Sequence, residues 1–198
     1  MRAKIQLSPA EESLVTNAEI ILTKNRVMAK MHQLLEQTQH EMLLYGDTFS
    51  NPHIFAIPPK ISRGENYRGL PYLVLDYPRL FRPDAIFTIR SFFWWGQFFS
   101  STLQLSGYYK KEYQNSIASS YPTFSKHHIG INADPWQHHF EPDNYIQIAS
   151  VPYEEFKTLL HDQSQIKIAA QCPVVAWLHA PDFLFKNWKL YMETLLAT

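Results

Sequence analysis

Four of the nine histidines fall in one short stretch, His127-His128 and then His138-His139 within Trp136-Gln137-His138-His139-Phe140-Glu141. Neutral imidazoles with a carboxylate suit zinc or non-haem iron, two His and one acid leaving coordination positions open for water or substrate. The first candidates for such a set are His128, His138 and Glu141. On extended backbone His127 and His128 point to opposite faces, so at most one of them joins a common site with His138 or His139. There is no H-E-x-x-H or paired-cysteine pattern, so no cofactor follows from the spacing and a divalent metal is only what these residue types would accept. The same side chains offer metal-free acid–base chemistry through His128, His138, His139 and Glu141, because an imidazole titrates near neutrality and a neighbouring acid tunes it. The plainer alternative is a loop and an edge strand whose histidines are hydrogen-bonded or solvated.

A second zone mixes arginines with aromatic rings. Arg63, Arg68, Arg79 and Arg90 offer forked donors to a carboxylate or phosphate, and Tyr72, Trp94 and Trp95 offer stacking faces. These seven are the ligand-binding candidates for a small anionic or planar molecule, with Tyr67, Tyr77 and Arg82 close by in sequence. Single-stranded nucleic acid would use the same mixture. Against a pocket stands local pairing with Glu65, Asp76 and Asp84, and the usual place of strand aromatics in a core. Asp76, on an otherwise apolar run, must reach a surface or find a partner, and Arg90 on the adjacent strand is the expected one.

Other patterns carry less. Gly64-Glu65-Asn66-Tyr67-Arg68-Gly69 lacks the spacing of a phosphate loop or a dinucleotide fingerprint and reads as a tight turn. Ser100-Ser101 and Ser119-Ser120 lack a nucleophile elbow, and Cys172 has no histidine near it in sequence.

The elements that must position these groups are marked by caps and periodicity. Ser8-Pro9-Ala10-Glu11 is a capping box that starts a helix. Leu14, Val15, Ala18, Ile21 and Leu22, then Met28, Met31, Leu34, Leu35 and Met42, give a helical stripe, with a break expected near Thr23 to Asn25 and a stop at Gly46. Residues 47–66 read as a loop with a short extended piece at Ile54 to Ile57. Leu70 to Asp76 reads as a strand, with Tyr72, Val74 and Asp76 on one side and Leu73, Leu75 and Tyr77 on the other; Pro71 and Pro78 mark its ends. Ala85 to Phe93 and Gln97 to Leu105 form an antiparallel pair turning near Gly96. A helix follows at Tyr109 to Ser119, then a hairpin of His127–Asn132 with Tyr145–Ser150. Further helices are expected at Tyr153–Asp162, at 165–171 behind Ser164, and after Pro181. Phe92-Phe93, Trp94-Trp95 and Phe98-Phe99 put rings on both faces of the sheet, so both need cover. Helices supply one layer; the C-terminal part of the chain, a ligand or a second copy in a homodimer must supply the other.

Length and composition bound the whole. At 198 residues and 45% hydrophobic, the chain 1–198 reads as one α+β domain able to bury a full core. Equal numbers of basic and acidic residues, 18 of each, argue against a protein whose main work is gripping nucleic acid or an anionic membrane. A single cysteine needs no oxidising compartment, MRAKIQLSPAEE is not a secretion signal, and no apolar run spans a bilayer. The expectation is a soluble, cytoplasmic protein.

The stretches YRGLPYLVLDYPRLF and FFWWGQFFSSTLQLSG, about the middle third of the chain, resemble segments of a family of uncharacterised bacterial proteins with no assigned activity. That resemblance implies no catalytic residue. The fold expected is a mainly antiparallel sheet of about five strands, the N-terminal helices on one face and the C-terminal helices at an edge or on the other. The function expected is a ligand-binding or protein-interaction module with an Arg-aromatic pocket. A metal-dependent or acid–base enzyme using segment 127–141 is the alternative, and a single-strand nucleic-acid binder the third.

Overall fold

A computed structural model describes residues 4–196. Met1–Ala3, at the head of the segment read for a secretion signal, lie outside the described residues. The capping box forms as read: Glu11 donates its amide to the Ser8 side chain while its carboxylate accepts from the Ser8 amide. It starts α1 (Pro9–Val15). The break before α2 (Ala18–Gly46) falls at Thr16-Asn17, not near Thr23 to Asn25, because Asn17 itself caps the second helix through Glu19. Only the C-terminal part of the apolar stripe is core: Met28, Met31, Leu34, Leu35 and Met42 are buried, whereas Leu14, Val15, Ile21 and Leu22 are exposed.

Among the described residues seven strands, not five, form one sheet in the order β1-β2-β3-β4-β7-β5-β6, every neighbouring pair antiparallel. They are β1 (Lys60–Tyr67), β2 (Leu70–Phe81), β3 (Ile86–Trp94), β4 (Phe98–Ser106), β5 (His128–Gly130), β6 (Tyr145–Gln147) and β7 (Gln165–Pro173). Two of them correct the expectation. β1 occupies part of what reads as loop, a polar edge strand carrying Lys60, Arg63 and Glu65, the composition that keeps an open edge from pairing with other chains. Ile54, expected in an extended piece, sits in a turn with its side chain in the core. β7 replaces the helix expected at 165–171. Its Lys, Ala and Gln content favours helix, but pairing on both sides, with β4 and β5, overrides so weak a local preference.

The β1–β2 connection is the tight turn expected there: Arg68 and Gly69 both have positive φ, as a two-residue hairpin loop requires. Gly64 has a different reason to be glycine, since the Tyr72 ring lies where its Cβ would stand. β2 continues past Pro78 with a change of register between Asp76 and Arg79.

The helices α3 (Gly107–Ser119), α4 (Tyr153–Asp162) and α5 (Ala180–Leu196) lie on the same face of the sheet as α2. All four contribute to the main core with Leu73, Leu75, Phe87, Ile89, Phe93 and Phe99. This corrects the placing of the C-terminal helices at an edge or on the far face. Two hydrogen bonds pin α5 down, Trp188 Nε1 to the Tyr77 carbonyl at 2.7 Å and the Tyr191 hydroxyl to the Ser101 carbonyl at 3.1 Å. No helix among the described residues is long and apolar enough to cross a membrane.

Candidate functional site

The face opposite the helices has two halves. One is aromatic: Val74, Phe92, Trp94 and Phe98 form a separate buried cluster with Tyr67, Tyr72 and Phe140 packed on it. The other is polar. Strand alternation and register bring Asp76 beside Arg90, Arg90 beside Thr102, Thr88 beside Gln104, and Gln104 beside Lys167 on one surface. Segment 131–144, the long tip between β5 and β6, lies over both halves and buries them. The second layer that the sequence requires is therefore supplied by the chain itself.

The tip is anchored at named points. Tyr67 Oη accepts the amides of His138 at 2.6 Å and His139 at 3.0 Å, and Lys167 Nζ donates to the Gln137 carbonyl. Asn144 donates to the His139 carbonyl, and Arg68 pairs with Glu141 at 2.8 Å. Phe140 stacks on Tyr145 at 4.7 Å and meets Phe98 and His128 edge-on.

Arg90 is the hub of the polar half. Its Nε and Nη2 donate to the two Asp76 carboxylate oxygens at 2.8 and 3.0 Å, the partnership expected from the sequence. Its Nη1 lies 3.0 Å from His138 Nε2. A guanidinium can only donate, so that nitrogen accepts and the imidazole is neutral. Burial, followed by the charges of Arg90 and Lys167, holds the His138 pKa well below its usual value, in agreement. Trp136 and Phe81 flank the guanidinium, with ring centroids 5.4 and 6.0 Å from Cζ.

Lys167 is different. It is 2% exposed and forms no ion pair among the described residues; its ammonium meets one carbonyl and the face of Tyr145 at 5.1 Å. Burial, then repulsion from Arg90, lowers its pKa to about 8 against the opposing attraction of the Asp134 carboxylate. Lys110, also buried, makes the contrast, since its ammonium donates to two carbonyls, of His161 and Gln163, at the C-terminus of α4. On the far side of Gln104 from Lys167, the Thr88 hydroxyl is buried without a partner among the described residues. The Tyr145 hydroxyl lies beside Thr102 but meets no partner in hydrogen-bond geometry.

The histidines do not assemble as the sequence suggests. His138 Nε2 is taken by Arg90, and the free Glu141 oxygen faces His139, so His128, His138 and Glu141 are not a shared ligand set. His128 packs against Phe140, and burial lowers its pKa. His139 is the one that meets acids, its Nδ1 3.7 Å from Glu141 and 3.8 Å from Asp143, all three ligand atoms lying within 4.8 Å of one another.

Nor do the seven Arg-aromatic candidates share one pocket. Arg90, Tyr72 and Trp94 lie on the covered face, while Trp95 lines a groove on the helical side. Arg63 pairs with Glu65 at 2.6 Å, Arg68 closes on Glu141, and Arg79 donates to the Pro58 carbonyl at 3.3 Å. Each is satisfied locally. The group the sequence reading missed is Lys167. Ile166, Ile168 and Ala170 alternate with Gln165, Lys167 and Ala169, a period of two compatible with a strand, but that alternation carries no sign that the lysine is buried without a direct charge partner. No protein-family model matches the chain, and no curated protein matches it either.

Proposed function

We propose that this chain is a binding module for a small anionic ligand, taken up on the covered face of the sheet beneath segment 131–144, with Lys167 as its charge partner. The observation that carries this is the buried Lys167 ammonium, which makes no direct ion pair among the described residues and feels the Asp134 carboxylate only at longer range. Asp76 pairs directly with Arg90, whereas Lys167 has no carboxylate in contact with it. An unpaired ion out of water costs several kcal/mol, and a bound carboxylate or phosphate offsets that cost. The Tyr145 hydroxyl, on the ring that faces the ammonium, is free to donate to the same anion, and the side chains of Gln104 and Gln165 are its neighbours on the sheet. Arg90, held by Asp76 and His138, adds positive potential without moving. The ligand's oxygen takes the place of the Gln137 carbonyl on Lys167, so binding and displacement of the tip are one event.

Thermal melting at pH 7, where Lys167 is mainly protonated, tests this with inorganic phosphate and with succinate, against sodium chloride of equal ionic strength. A saturable rise in Tm, absent in Lys167→Met, is expected. No saturable rise with either anion, or one kept in Lys167→Met, would overturn the reading.

A second reading rests on His139, Glu141 and Asp143, one imidazole and two carboxylates, a donor set that suits a divalent cation. Zinc added to the same melts separates the two. A rise lost in Asp143→Asn and kept in Lys167→Met favours the metal; no rise removes it.

A further inference from the structure

The surroundings of Lys167 favour the neutral amine over the ammonium. The residue is buried, the Arg90 guanidinium adds positive potential to the same surface, and the Asp134 carboxylate acts only at longer range. Desolvation beside a second cation is what turns a lysine into a nucleophile. The contacts point the same way. Nζ donates to a single carbonyl, that of Gln137, which occupies one hydrogen of a neutral amine and leaves its lone pair free. Lys110 is the contrast within the molecule, because two carbonyls at the C-terminus of α4 hold its ammonium. At pH 8 about half of Lys167 is neutral, whereas an ordinary lysine is almost wholly protonated.

We infer that Lys167 is an amine nucleophile, and that the anion taken up beneath segment 131–144 is a small 2-oxo acid that condenses with it to a Schiff base. This rests on the anion-binding reading and narrows it to an anion that carries its own electrophile. The step balances without oxidant or reductant. The Nζ lone pair attacks the carbonyl carbon, the C–O π pair moves onto oxygen, and an amine proton follows it to give a carbinolamine. The hydroxyl then takes a proton and leaves as water, while the nitrogen lone pair closes the C=N bond of an iminium. Tyr145 is placed to hand over that proton: its ring faces Nζ at 5.1 Å, its hydroxyl has no partner in hydrogen-bond geometry, and burial raises its pKa, which keeps it a phenol. The iminium restores positive charge to a buried nitrogen. In a 2-oxo acid the carboxylate is bonded to the reacting carbon, so the counter-ion arrives with the electrophile and offsets that charge at close range. A simple ketone lacks the counter-ion, and succinate lacks the electrophile. Segment 131–144, closed over the adduct, keeps water from the iminium.

Reductive trapping reads the outcome directly. The full chain, incubated with pyruvate and sodium cyanoborohydride at about pH 8 and digested for peptide mass spectrometry, is expected to gain the reduced adduct on Lys167 at least about tenfold faster than on Lys110 or the exposed Lys30. Excess succinate slows that labelling, acetone in place of pyruvate leaves Lys167 unlabelled, and Tyr145→Phe, which removes a hydroxyl without a partner, slows trapping with no loss of melting temperature. Labelling of Lys167 no faster than of Lys30 overturns the inference, as does labelling that acetone matches or succinate leaves unchanged. The two readings fail separately. A saturable rise in Tm with pyruvate but no adduct on Lys167 removes the nucleophile and leaves the anion site standing, whereas no adduct and no rise with phosphate, succinate or pyruvate removes both.

Discussion

The two faces of the sheet are built from the same strands and buried to similar depth, but by different chemistry. On the helical face, rows of Leu, Ile and Phe meet the apolar stripes of α2–α5, and hydrophobic area carries the contact. On the other face a single irregular tip covers the strands, and it is held by Tyr67, Arg90 and Lys167 as much as by Phe140. Non-directional burial tolerates imperfect partners, whereas a buried polar seam stabilises only when each group is satisfied. The helical face is therefore the scaffold. The covered face, where Lys167 and Thr88 are left underpaired, is where an added ligand changes the balance most.

The sharpest way to break this comparison is to remove one member of the Asp76–Arg90 pair. Asp76→Asn keeps the shape but leaves a second uncompensated cation, and denaturant unfolding is expected to show a loss of about 3–5 kcal/mol. The double change Asp76→Leu with Arg90→Met is expected to recover most of it. If Asp76→Asn costs no more than a surface substitution, the polar seam is not holding the tip.

Next comes pH. A lysine whose folded pKa lies below its unfolded value binds fewer protons when folded, so stability rises with pH from about 8 toward the ordinary lysine value of 10.5, by an amount of order 3 kcal/mol. Above about pH 10 the buried tyrosines Tyr113 and Tyr191, whose pKa values burial raises, oppose the trend, because the unfolded chain ionises them first. Chemical unfolding between about pH 8 and 10 is expected to show the rise in the wild type and no rise in Lys167→Met, where the buried Cys172 thiol, raised to about 11, lowers stability from about pH 9 upward. A wild-type profile with the same slope as that of Lys167→Met in that window would mean that Lys167 keeps an ordinary pKa.

The smallest effect sharpens the picture at the tip. Tyr67→Phe removes one acceptor shared by two amides, at a cost of about 1–3 kcal/mol. Amide exchange is expected to quicken at His138 and His139 while the β3–β4 amides stay protected. Equal quickening in both would show that tip and sheet open together.

Much of the sheet was legible in the sequence because the signals are local. The alternation of Tyr72, Val74 and Asp76 with Leu73, Leu75 and Tyr77 determined which residues face which side. The short connection between Phe81 and Ile86 makes β2 and β3 neighbours and puts Arg90 opposite Asp76, so this ion pair was legible too. The opposite directions of Trp94 and Trp95 follow from strand geometry alone.

What only the tertiary structure decided is what lies against each face. That β7 joins β4 to β5 depends on pairing between positions 39 to 75 residues apart, for which Gln165–Pro173 carries no local mark strong enough to outweigh its helix-forming residues. That segment 131–144 covers the second face, and that all the packed helices share the first, depends on which surfaces meet. For the same reason Lys167 became a candidate only in three dimensions. Burial without a partner is a property of everything around a side chain, and no short stretch of sequence contains it.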